Sequence, residues 1–352
     1  MKTYVTTYTS ILMRTTRIVC SIMCCAILSV LMACQDDTDE MPSEVKVRLF
    51  GKDYVEVTRS DGYTLLGSSF AAFTAGLYVT MDDQQAWFPM EWDGTAFSRN
   101  IFLEKGEYTF YSCIPLREEN TSLVNATSTT SATLTLKEIP GLGTDDIMIS
   151  NAAVVKNITV SGTINVPMKM DHIMACVSPQ FYLDATYAAM RSIEILSVEF
   201  AIFEGESVSI PFYDATATYD DAAGTAFSIN WLPDGSKSDS WVKVYEATDE
   251  ASKDILPDTK NGALTLGNCY VSPILSTEHL KMRVTYNVYD KEDVLVREKV
   301  QAVNSIKKLS SLSQEKTLIA GNNYKLYIQI VPSYLYVLSD NDEASAFVIP
   351  DE

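Results

Sequence analysis

The sequence is poor in the residues on which most enzymes and nucleic-acid binders depend. It has two histidines, His172 and His279, and neither stands in a metal-binding spacing such as HExxH, so a zinc or histidine-based centre is not expected. It has no GxSxG elbow, no phosphate-cradling glycine loop and no CxxC outside the first 33 residues, and no cofactor is expected. Basic residues are scarce, 27 against 46 acidic, giving a net charge of −19 at pH 7. A phosphate backbone would be repelled, which excludes nucleic acid as a partner. The cluster Asp340-Asn341-Asp342-Glu343 lacks the glycine and distal glutamate of a calcium loop and reads as a solvated turn. Acids are missing from residues 1–33, whose only charged side chains are Lys2, Arg14 and Arg17. Their apolar run, Ile18 to Ala33, falls short of the roughly 20 residues that a membrane-spanning helix needs.

What is present there is the layout of a signal peptide. Leu31-Met32-Ala33-Cys34 resembles the bacterial lipobox, which implies cleavage before Cys34 and a lipid on its thiol. Met13 would start a shorter signal of conventional length. Residues 34–43 form an acidic tether, and Gln35-Asp36-Asp37 resembles a surface-export signal of lipoproteins. The expected location is therefore the cell outer membrane, facing outward. Removing 33 of 352 residues leaves 319, and losing three basic groups takes the net charge from −19 to −22. Of seven cysteines, Cys20, Cys24 and Cys25 leave with the signal and Cys34 carries lipid. Cys113, Cys176 and Cys269 lie in β-like apolar runs and read as buried free thiols rather than a disulfide.

From Glu44 onward the chain alternates apolar and polar residues in short runs. Val45, Val47 and Leu49 are one such set, and Val55 and Val57 another. The texture recurs at 76–81, 108–114, 132–137, 158–170, 173–183, 193–203, 241–245, 280–289, 294–302 and 324–330. Asp61-Gly62, Asp93-Gly94, Asp234-Gly235 and Asn261-Gly262 punctuate it as turns. The pattern predicts an all-β fold of two tandem β-sandwich (Greek-key, transthyretin-like) domains, 44–187 and 188–352, with short helices at 185–191 and 304–312. His172 lies on a β-like run and reads as a satisfied structural histidine.

Several segments together resemble the fimbrillin family, the subunits of type V pili. Gly106-Glu107-Tyr108-Thr109-Phe110-Tyr111 with Pro115 is similar to a strand of that family. So are Asp145-Asp146-Ile147-Met148, the stretch Val166 to Ala175 around His172, and Ile319 to Ile328 with Gly321 and Tyr324. The resemblance implies a non-enzymatic structural or adhesive subunit of a surface pilus, exported as a lipoprotein. It implies that a protease cuts after an arginine near the N-terminus and the first strand is lost. The C-terminal segment of the next subunit then fills the groove as an added strand. Arg59-Ser60 is the candidate cleavage site and Arg48, inside a strand-like run, the poorer alternative. Phe347, Val348 and Ile349 are the candidate donor strand, with the intramolecular pairing of Tyr334–Leu338 as a hairpin expected beside it. The implied partners are other pilus subunits in a homo- or hetero-polymer, the outer membrane through the lipid, and a host or bacterial surface ligand.

Two other classes compete. A monomeric surface glycan-binding lipoprotein would need aromatic side chains exposed together, for which Trp87, Trp92, Trp231 and Trp241 are the candidates, although tryptophans in sandwiches are more often core. A surface hydrolase would need two carboxylates facing each other in a cleft.

Overall fold

The computed structural model describes residues 42–52, 54, 62–81, 84–116, 119–124, 132–151, 154–159, 162–219, 227–248, 255–306, 318–330 and 347–348. Its elements in chain order begin with β1 (Ser43–Lys52), β2 (Tyr63–Leu65), β3 (Ala75–Met81), β4 (Gln84–Met90), β5 (Ser98–Leu103) and β6 (Gly106–Ile114). There follow β7 (Thr121–Val124), β8 (Ala132–Pro140), β9 (Leu142–Gly143), β10 (Met148–Ser150), β11 (Val154–Ile158), β12 (Thr163–His172) and β13 (Ala175–Leu183). One helical turn, α1 (Ala185–Ala188), leads to β14 (Ser192–Glu204), β15 (Ser207–Val208), β16 (Ile210–Tyr219), β17 (Ser228–Ser238) and β18 (Val242–Glu246). The last strands are β19 (Leu264–Thr265), β20 (Cys269–Val271), β21 (Leu280–Tyr289), β22 (Leu295–Ser305), β23 (Asn323–Ile330) and β24 (Phe347–Val348).

The protein is an all-β sandwich fold. Among the described residues the strands fall into four sheets, and the period of two along each strand decides what each face buries. The largest sheet runs β2-β1-β12-β10-β6-β3-β4, with β5 on β1 and β11 on β6. One face packs Val45, Val47, Leu49, Leu77, Val79, Phe110, Met168 and Met170 into a core. On the opposite face, Tyr78, Tyr111, Cys113 and Ile149 pack against Leu134, Leu136, Ala215 and Ala217 of a second sheet, β17-β16-β8-β7. Strand β6 is buried on both faces from Phe110 to Ile114. The remaining sheets, β24-β23-β13-β20-β9 and β15-β14-β21-β22, enclose a third core around Val177, Phe181, Ile195, Phe200, Val284 and Ile328.

The first strand of each half pairs in parallel with a strand late in that half. Strand β1 pairs with β12 from Glu44↔Thr163 to Gly51↔Met170, and β13 pairs with β23 from Cys176↔Asn323 to Leu183↔Ile330.

The boundary expected at 187/188 falls inside the third core, which holds both Tyr187 and Ile193. Asp184 caps α1 by accepting from the backbone N–H groups of Thr186 and Tyr187, so the polar stretch there is a corner within one sandwich. The cores change between Met174 and Ala175 instead. Moreover β16 and β17, which follow that point, return to pair with β8. The helix expected at 304–312 begins otherwise: Asn304 and Ser305 continue β22, and the rest lies outside the described residues.

Candidate assembly site

Strand β1 is interior to its sheet. On one side lies β12. The other edge is covered first by β5, from Ser43↔Leu103 to Arg48↔Ser98, and then by β2, from Phe50↔Leu65 to Lys52↔Tyr63. Val45, Val47 and Leu49 are completely buried. At roughly 1.5–3 kcal/mol per large apolar side chain, they contribute several kcal/mol to holding the strand. Arg48 points outward from the middle of this paired strand, where a protease cannot bind extended backbone.

The strand's end is held by a buried polar cluster. His172 closes β12, and its Nε2 lies 2.6 Å from the carbonyl oxygen of Lys52, the last residue of β1. Its Nδ1 lies 3.0 Å from Asp146 Oδ1, and the two side chains are only 6% and 8% exposed. The Tyr54 ring stacks on His172 with centroids 3.8 Å apart, and its hydroxyl donates to Asp146 Oδ1 at 2.6 Å. Burial, followed by the Asp146 charge, pushes the Tyr54 phenol far above the ordinary tyrosine range, so it remains a donor. Tyr270 of β20 stands beside it, centroids 5.9 Å apart. Burial and then Asp146 raise its phenol as well.

A second tyrosine anchors the chain where it re-enters the sheet. The Tyr63 hydroxyl donates to Asp171 Oδ1 at 2.6 Å and accepts from Asn151 Nδ2 at 2.7 Å. Its phenol is pushed up to about 12, first by burial and then by that bond to Asp171. Tyr54 and Tyr63, which flank residues 55–62 in sequence, therefore bear on adjacent residues of β12, His172 and Asp171.

Arg59 and Ser60 belong to that span and lie outside the described residues, as do Cys34, Ile349, Tyr334–Leu338 and the run at Val55 and Val57. Phe347 and Val348 form β24, which pairs antiparallel with β23 through Ile330↔Phe347 and Gln329↔Val348. The motif segments, far apart in sequence, converge here. Strand β10 pairs with both β6 and β12, Asp146 bonds His172, and the Gly321 N–H donates to the Met174 carbonyl. His172 is satisfied, as its place on an apolar run predicts. Lys52, Tyr54, Tyr63 and Tyr270 were not legible as site residues, because nothing local marks which tyrosine meets a carboxylate 92 residues away.

No family model and no curated protein matches the chain. Solved structures do. A fimbrial protein from Bacteroides vulgatus is 13% identical, with 81% of this chain and 95% of that one covered and a TM-score of 0.32. The fimbrial anchor protein Mfa2 from Porphyromonas gingivalis is 12% identical, with 88% and 95% covered and a TM-score of 0.32. A candidate cell adhesion protein from Bacteroides uniformis is 15% identical, with 84% and 94% covered and a TM-score of 0.40.

Trp92 and Trp231 are half-buried and pack against the first and second cores, Trp92 on Phe97 and Trp231 edge-on to Tyr213. Trp87 on β4 is 47% exposed, and Trp241 contacts Phe203 and Arg283. The four have separate neighbours and do not form one exposed aromatic platform.

Cys113, Cys176 and Cys269 are free and buried. Burial pushes the Cys113 thiol up to about 12 and Cys176 up to about 11, and raises Cys269 strongly. A thiol reagent that attacks the thiolate should therefore find none of the three in the native protein at pH 8, and all three after unfolding in denaturant. Rapid labelling of any of them in the native state would contradict this burial.

Proposed function

We propose that the protein is a structural or adhesive subunit of a cell-surface pilus, anchored first as a lipoprotein through Cys34 and assembled by strand exchange after cleavage between Arg59 and Ser60. The observation that carries this reading is the position of β1. It is an interior strand whose neighbours on both sides, β12 and β5, come after Arg59 in sequence. A cut at Arg59 makes it the one strand of its sheet no longer covalently tied to the rest. Its loss would leave unpaired backbone groups on β12, β5 and β2 and an apolar groove lined by Met168 and Ile101, which a strand from another subunit can repair. Among the described residues, Phe347–Val348 pairs with β23 at two positions, a shorter ladder than the one β12 offers once β1 is gone.

The test is the N-terminus of the protein recovered from surface fibres, read by mass spectrometry for the full chain and for a chain lacking residues 344–352. Full-length subunits in fibres should begin at Ser60, and the truncated chain should be exported as a folded monomer absent from them. Fibres built of subunits that begin at Cys34 would overturn the cleavage. Entry of the truncated chain into fibres, or its misfolding, would remove the donor role from this tail.

A further inference from the structure

Strand β22 ends its sheet, with β21 on one side and, among the described residues, no strand on the other. It is eleven residues long and exposes Leu295, Val296 and Val303, and Val294 is exposed just before it. A long apolar edge of this kind is a template for pairing with a second copy of the chain. The other long strands that end a sheet, β4 and β17, each contain a proline, Pro89 and Pro233, which cannot donate to a ladder. Strand β22 contains none.

Its ladder is broken by insertion instead. Val300 to Ser305 pair regularly with Tyr286 to Lys281. Beyond them Val288 faces Arg297, so Glu298 and Lys299 together stand opposite Asn287. Tyr289 then faces Leu295, which makes Val296 a second extra residue. Bulges of this kind bend a strand and disrupt the regular spacing of N–H and C=O groups that an added strand needs. The first one is locked by side chains. Lys299 takes φ +50°, a left-handed conformation unfavourable for lysine, and its N–H donates to Asn287 Oδ1 at 2.9 Å. Asn287 Nδ2 donates at 3.0 Å to Oε2 of the buried Glu194, which also accepts from the Tyr289 hydroxyl. The carboxamide is thereby fixed with its oxygen toward the bulge, and the strain at Lys299 persists because this network holds it.

We propose that the double bulge is a device that closes the β22 edge to strand addition by a second copy of the chain. Arg297, Glu298 and Lys299 put charge at the point where the ladder is broken, the same side-chain chemistry that blunts exposed edges elsewhere. The proposal is independent of strand exchange, since β22 packs on the third core and β1 on the first.

Deleting Lys299 tests it. The count then closes, with Glu298 alone opposite Asn287 between the pairs Val288↔Arg297 and Tyr286↔Val300. Sedimentation velocity of the uncut chain over a concentration series should find the parent monomeric. The deletion variant, shown to be folded by its urea transition, should self-associate about tenfold or more strongly, because several edge hydrogen bonds become available at once. Adding Leu295→Lys and Val303→Lys to the deletion should return it to monomer. A folded deletion variant as monomeric as the parent, or association that survives the two lysines, would overturn the proposal. So would association of the parent that the same two lysines abolish. Should the deletion prevent folding, Asn287→Ala decides in its place: it keeps every residue and frees the Lys299 N–H, so it should also self-associate more strongly than the parent, and no increase would overturn the device.

Discussion

Leu49→Asp should prevent the uncut chain from reaching a stable fold. Leu49 is completely buried, its backbone N–H donates to the Phe97 carbonyl, and its neighbour across the parallel ladder is Met168, also fully buried. Aspartate there forfeits roughly 1.5–3 kcal/mol of apolar burial. It also places a carboxylate among apolar side chains at an effective cost of several kcal/mol. Domains of ordinary stability have about 5–15 kcal/mol in total. Urea unfolding of the purified precursor should show the transition lost or moved to far lower denaturant, with low yield in cells. The adjacent Arg48→Ser, on an outward-facing side chain, should stay within about 0.5 kcal/mol of the parent. An unchanged midpoint for Leu49→Asp would mean that β1 is not integral to the uncut fold. Under the proposed assembly the same substitution becomes silent once β1 has been replaced, since Leu49 leaves with the strand.

Cys34→Ala should abolish lipid attachment completely. Under the proposed lipoprotein reading, Leu31-Met32-Ala33 supplies the small and apolar residues before the cut, and Cys34 the thiol that takes the diacylglycerol. Cleavage follows alkylation in the lipobox pattern, so the variant should accumulate as precursor that retains its first 33 residues. Growth with a fatty-acid analogue reads the first effect and intact mass the second. Labelling that persists in Cys34→Ala would show that another residue carries the lipid or that the segment is an ordinary secretory signal.

Much of the fold is legible residue by residue where the period of two is clean. Val45, Val47 and Leu49 announce β1, and the runs that become β3, β6, β12, β14, β21 and β23 are marked as plainly. Strands β16 and β17 escape notice for a physical reason. Strand β16 buries Ala215 and Ala217, whose small side chains give weak alternation, and Pro211, Pro233 and the Asp234-Gly235 turn interrupt the pair. At Gly235 the backbone has φ +90°, a conformation that favours glycine, so a residue pair that reads as a loop sits inside a paired strand. Those two strands carry the chain beyond Ala175 back into the second sheet, and without them the sequence places its boundary at 187/188, inside a core.

By itself the sequence determined the local quantities: strand rather than helix over most of the chain, acidic charge, and thiols in apolar runs. These depend on neighbours within a few residues, whose spacing the sequence states directly. Tertiary structure alone decided which strand is interior and what stands at its end. The β1–β12 register joins residues such as Gly51 and Met170, and the cluster joins Lys52, Tyr54, Asp146, His172 and Tyr270 from five separate elements and turns. Such pairings are chosen by the sum of burial and hydrogen bonding over whole sheets, and no short stretch of sequence encodes that sum.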